Sequence, residues 1–101
     1  MQIHRDYTGR GPTEAKATIL PDALLIALGG VLTTAERNLV LVGMADQVRN
    51  IRDSLQTAMH EDLVAAVEQA LGRGVLALSG TTDVHGDSGI QVFTLAPTSR
   101  S

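Results

Sequence analysis

Ala15-Lys16-Ala17-Thr18-Ile19-Leu20-Pro21-Asp22-Ala23-Leu24-Leu25-Ile26-Ala27-Leu28 decides the fold of this chain. Its first six residues alternate small or polar with apolar, the period of a strand with one face against a core. Pro21-Asp22 then supplies turn chemistry, and the apolar run after it reads as a second strand. Together they make a hairpin. The second strand is apolar on both sides, with Leu24, Ile26 and Leu28 on one and Ala23, Leu25 and Ala27 on the other. Strands patterned in this way are covered on both faces.

Downstream, Gly29-Gly30 marks a bulge or the exit of that strand. Thr33-Thr34-Ala35-Glu36 is a capping-box pattern and predicts a helix start. Leu39, Val40 and Val42 supply the apolar side of that helix, and Gly43 breaks or kinks it. From Met44 the helical period is strong: Met44, Val48, Ile51, Leu55, Met59, Leu63, Val67 and Leu71 fall on one stripe. Arg49 can pair with Asp46 or Asp53 on the wet side. Gly72-Arg73-Gly74 ends the helix. Residues 75–79 form a third strand, again apolar on both faces, residues 80–89 a polar loop, and residues 90–95 a fourth strand ended by Pro97.

The expected architecture is α+β: a two-layer, four-stranded sheet made of two β-hairpins, with a long helix on one face (β-β-α-β-β). Residues 1–97 form one domain and residues 98–101 a frayed tail. The strands at residues 23–28 and 75–79, being two-sided, are expected at the centre of the sheet. If adjacent, they would be parallel and joined by a right-handed crossover. One helix covers one sheet face. A second copy of the chain is the simplest cover for the other, so a homodimer is expected.

The chain has 101 residues and is 44% hydrophobic, enough for one small core. Tyr7 and Phe93 are its only aromatics, so that core is aliphatic. The net charge of −3 argues against nucleic acid as a partner, since phosphates call for a basic field. Without cysteine, disulfides and thiolate metal sites are excluded. The N-terminal residues lack the apolar core of a signal peptide. The longest uncharged apolar stretch, residues 23–35, falls short of the roughly 20 residues that span a bilayer. The expectation is a cytoplasmic protein with no direct membrane insertion.

Chemistry concentrates in Tyr7-Thr8-Gly9-Arg10-Gly11-Pro12. Backbone N–H groups at Gly9 and Gly11 could cradle an oxyanion while Arg10 supplies charge and a fork of donors. The plainer reading is a structural turn whose Arg10 pairs with a carboxylate or a chain end. It is no P-loop, because no Gly-Lys-Ser/Thr follows. Asp83-Val84-His85-Gly86-Asp87 alternates metal-ligand types but is also what a hairpin loop needs, and it is read as a loop. His60-Glu61-Asp62 sits on the helix, where successive residues point about 100° apart and do not converge. His4 with Asp6 lacks a nucleophile, and no serine sits in a nucleophile elbow. No metal, cofactor or catalytic set is expected, and the chain is not read as an enzyme.

Two segments resemble the MpsC-like family of small bacterial and archaeal proteins. Ile3-His4-Arg5-Asp6-Tyr7-Thr8-Gly9-Arg10-Gly11-Pro12 is similar to its helix end, aromatic and Gly-Arg/Lys-Gly-Pro. Gly30-Val31-Leu32-Thr33-Thr34-Ala35-Glu36 is similar to its Gly-Val-Leu-Thr-Pro-Ala-Glu, with Thr34 where proline is usual. The long helix and the closing Val92-Phe93-Thr94-Leu95 match in pattern. Family members usually carry a longer helix before the first motif; here residues 1–7 precede it. The resemblance implies a soluble accessory or interaction protein associated with a Na+-translocating, membrane-potential-generating system, and so a protein partner in a membrane complex. It implies no catalytic residues. The alternative is a regulatory domain that binds a small ligand or anion at Gly9, Arg10 and Gly11.

Overall fold

The computed structural model describes Ile3, Tyr7 and residues 11–97. Over residues 11–97 four strands and two helices follow in order: β1 (Glu14–Leu20), β2 (Ala23–Gly29), α1 (Thr34–Leu41), α2 (Ala45–Leu71), β3 (Val75–Asp83) and β4 (Ser88–Leu95). The fold is α+β, with a four-stranded antiparallel sheet and a long helix between β2 and β3.

Both hairpins form as the turn chemistry demands, with Leu20 opposite Ala23 and Asp83 opposite Ser88. The strand order is β1-β2-β4-β3, so β2 and β4 are central. This corrects the expectation that residues 75–79 lie at the centre, beside β2 and parallel to it. β4 takes that place because it carries the bulk: Phe93 is fully buried, and Gln91 and Leu95 are nearly so. β3 instead lies at an edge. Its apolar start is interrupted by a register shift between Val75 and Ala77, and Leu76 is left 67% exposed. β3 also runs on through Thr81 and Thr82, so the loop shrinks to the turn at residues 84–87.

Thr33 caps α1 in a complete capping box. Its Oγ1 accepts from the Glu36 N–H (3.2 Å), and its own N–H donates to Glu36 Oε1 (2.8 Å). The helix ends at Leu41 and restarts at Ala45, broken at Gly43, whose φ of +82° an L side chain avoids. Val42, expected on the apolar side, is 71% exposed, because the break turns it out to solvent. α2, about 40 Å long at 1.5 Å per residue, ends with Gly72 in the left-handed position. Arg73 then locks this corner. Its Nε and Nη2 donate to the Ala96 carbonyl (3.0 and 2.5 Å), and its Nη1 donates to the Pro21 carbonyl (3.0 Å).

Two apolar clusters lie between α2 and the sheet. One holds Leu24, Met59, Leu63, Val67, Phe93 and Leu95, with Ile3 packed against it. The other holds Leu28, Val31, Leu32, Val48 and Val84. No residue of β1 enters either cluster, and all seven of its residues are exposed. Cross-strand register puts Thr18, Leu25 and Val92 on the sheet face away from α2, next to Lys16, Ala27 and Ile90. Among the described residues nothing covers that face.

Candidate functional site

The segment at residues 30–37 meets α2 and the β3–β4 turn, and nearly every residue in it is tied. The Gly30 N–H donates to the Asp87 carbonyl (2.8 Å), and the Leu32 N–H donates to Asp87 Oδ1 (2.7 Å). Asp87 holds a φ of +51°, a conformation Asp tolerates better than most residues. Arg37 Nη1 donates to the Leu32 carbonyl (3.1 Å) and lies 3.7 Å from Asp87 Oδ2.

Beneath this segment, Arg52 reaches from α2 into the interior and is 7% exposed. Its Nε donates to Glu36 Oε2 (2.9 Å), and its Nη2 donates to the Val31 carbonyl (2.7 Å) and to Glu36 Oε1. Glu36 is 6% exposed. Burial alone would raise its carboxyl pKa. Hydrogen bonds from Arg52 and the Thr33 backbone, with the Arg52 charge, outweigh burial and hold it below the ordinary glutamate range.

One turn along α2, Gln56 and Gln91 exchange two amide hydrogen bonds, each 2.8 Å. Gly80 makes room for them: a Cβ there would fall 2.5 Å from Gln56 Nε2 and from Gln91 Oε1. Arg52, Glu36, Gln56 and Gln91 thus form a polar layer that separates the two apolar clusters. The cavity beside it, lined by Arg52, Gln56, Thr82 and Gln91 among others, measures about 20 Å³. That is the scale of one water, not of a substrate.

Sequence reasoning missed this layer. The apolar stripe predicted Ile51 and Leu55 as inward residues; Ile51 is 44% exposed and Leu55 only partly buried. The inward row is Val48, Arg52, Met59, Leu63 and Val67, with a cation at the second place. A signal was present: Glu36 and Arg52 carry opposite charges at positions whose periodic neighbours are apolar.

The sequence-predicted sites fare differently. Gly9 and Arg10 lie outside the described residues, as do His4 and Asp6. Gly11 and Pro12 lead directly into β1, where the Thr13 N–H donates to the Gly29 carbonyl (2.9 Å). Asp83 and Asp87 do not converge. Asp83 Oδ1 accepts from the His85 and Gly86 N–H groups (3.2 and 3.1 Å), while Asp87 faces the segment at residues 30–37. His60 is exposed, and the neighbouring Asp62 accepts from the Tyr7 hydroxyl (2.7 Å). Among the described residues no three His, Asp or Glu side chains stand where they could hold a metal ion.

A family model described as Na+-translocating membrane potential-generating system (MpsC) matches residues 1–97. The chain belongs to the MpsC family. No curated protein matches it, and no solved structure does. The segment resembling the family's Gly-Val-Leu-Thr-Pro-Ala-Glu is the one that carries the capping box, the acid of the buried pair and the docking point for Asp87. In this chain the motif does structural work.

Proposed function

We propose that this MpsC protein is a non-enzymatic accessory component of a Na+-translocating, membrane-potential-generating system, acting in the cytoplasm as a homodimer that docks on a membrane partner. The observation that carries the reading is the family match over residues 1–97. The interior polar groups support it: Glu36, Arg52, Gln56 and Gln91 are engaged with one another, in a cavity too small for a substrate. Among the described residues no helix is long and apolar enough to cross a membrane. A role in a membrane system then runs through contact with another protein. Exposed Leu20, Ile51, Leu76 and Ile90 give the surface apolar area for such contacts.

The test is affinity capture of the tagged chain from detergent-solubilised membranes of its own source, with a membrane-potential dye read in cells that lack it. The expected result is a multi-span subunit of a Na+-translocating system in the captured fraction, and a Na+-dependent potential that falls when the chain is removed. An unchanged potential with no such subunit captured overturns the reading. If phosphate then raises the melting temperature of the wild type and not of Arg10→Ala, the Gly9-Arg10-Gly11 turn is an anion site and the regulatory alternative takes its place.

A further inference from the structure

β1 is an edge built to be paired. Natural sheets protect an edge strand with a bulge, a proline or inward charge. β3, the other edge, has a register shift near its start. Of such guards β1 carries only the charges of Glu14 and Lys16: it is seven residues long, in unbroken register with β2, with its prolines outside it at Pro12 and Pro21. The direction of its free groups follows from one bond. The Gly30 N–H donates to the Asp87 carbonyl on the β4 side, so odd-numbered residues of β2 face β1, and in the register Leu20 opposite Ala23 the even-numbered residues of β1 face β2. The N–H and C=O of Ala15, Ala17 and Ile19 therefore point away from β2 to the open edge, and among the described residues no backbone group outside the sheet bonds them.

We propose that two copies of this chain join β1 to β1, antiparallel, with Ala17 opposite Ala17 on the two-fold axis, giving a continuous eight-stranded sheet. The proposal rests on the homodimer of the functional reading and names its interface. The partner is a second copy because the strand is complementary to itself in one register. With Ala17 on the axis all seven residues overlap, and the outward groups pair as Ala15 with Ile19 and Ala17 with Ala17. On the α2 side, Ile19 (64% exposed) lies over the small Ala15 of the other copy, and Ala17 meets Ala17. Moving the axis one residue to Lys16 sets two lysines directly opposite, and moving it further either way shortens the overlap. Charge and side-chain size thus select the same register.

The chain has no cysteine, so single-cysteine variants give a clean readout. Ala17 sits in a hydrogen-bonded pair on the axis, where Cα atoms stand about 5.5 Å apart, within disulfide reach. Ala17→Cys should form a disulfide-linked dimer under mild oxidation. Ala15→Cys should not, because its two copies lie four residues apart along the strands, about 13 Å. Ala15→Cys combined with Ile19→Cys should cross-link again. Ala17→Pro removes only an outward N–H, so it should leave circular dichroism unchanged and convert the dimer mass in light scattering to that of a monomer. A wild-type dimer in which Ala17→Cys does not cross-link and Ala17→Pro stays dimeric overturns the β1 interface and leaves the dimer itself standing. A monomeric wild type overturns both.

Discussion

Glu36 and Arg52 carry the largest single risk in this structure, because two charges have left water and depend on each other. Removing one partner leaves an unpaired buried charge, which costs about 3–5 kcal/mol. Arg52→Met should lower the free energy of urea unfolding by that amount, and a loss under about 1 kcal/mol would mean the pair is solvated in solution. Adding Glu36→Leu to Arg52→Met should recover part of the loss, since apolar replacements of buried pairs are often neutral. Recovery stays incomplete because Glu36 Oε1 also accepts the Thr33 N–H. The pair also sets a pH dependence. The Glu36 pKa is depressed in the folded chain, so the unfolded chain binds that proton more readily. Its stabilisation is complete above the ordinary glutamate value of about 4.3 and is lost as the pH falls through the lower folded value. Wild type minus Glu36→Gln, measured by urea unfolding at a series of pH values, should shrink towards the acid end; a difference constant with pH would contradict this.

At the scale of elements, what was legible was local. The capping box of Thr33 and Glu36, the Pro21-Asp22 turn and the glycine stop after Leu71 each act within a few residues, and each stands as read. The strand order was not legible, because the two-sided apolar pattern at residues 75–78 is shared by a central strand and by one that starts on a bulge. Nor was the inward place of Arg52, since a periodicity of apolar residues has no symbol for a charge neutralised by another element. Thr34 illustrates a local rule with a consequence. It is the first residue of α1, its N–H is not needed by the helix, and Thr33 before it is extended at ψ 165°, as a residue before proline should be. Thr34→Pro should therefore stabilise the chain by about 0.4–1 kcal/mol, mainly by restricting the unfolded state, and a lower melting temperature would count against the helix start described here. Gly80 tests the opposite case. Its β3 backbone lies against the Gln56–Gln91 amides, so Gly80→Ala should force them apart and cost about 1–3 kcal/mol, measured by thermal unfolding.

For the whole molecule, the described residues leave one sheet with a covered face, an uncovered face and a bare edge. The uncovered face is apolar along its middle, at Ala23, Leu25, Ala27, Ile90 and Val92, and at one end, at Leu20 and Ala77; the rest of its border carries Lys16 and Thr18 on β1 and Ser79 and Thr81 on β3. Leu25 is only partly buried within one chain, so a charge there remains in reach of water. This separates two ways of making a dimer. If copies stacked face to face, Leu25→Asp would bury an unpaired carboxylate in the interface and drive the copies apart, at a cost of several kcal/mol. If they join through β1, Leu25 lies a strand away from the contact and the dimer survives. The β1 interface therefore predicts that Leu25→Asp keeps its dimer mass in light scattering at micromolar concentration. Its melting temperature should fall by no more than a strand-interior Asp costs, about 1 kcal/mol. Ala17→Pro, at the open edge of the same hairpin, should then be the change that halves the mass.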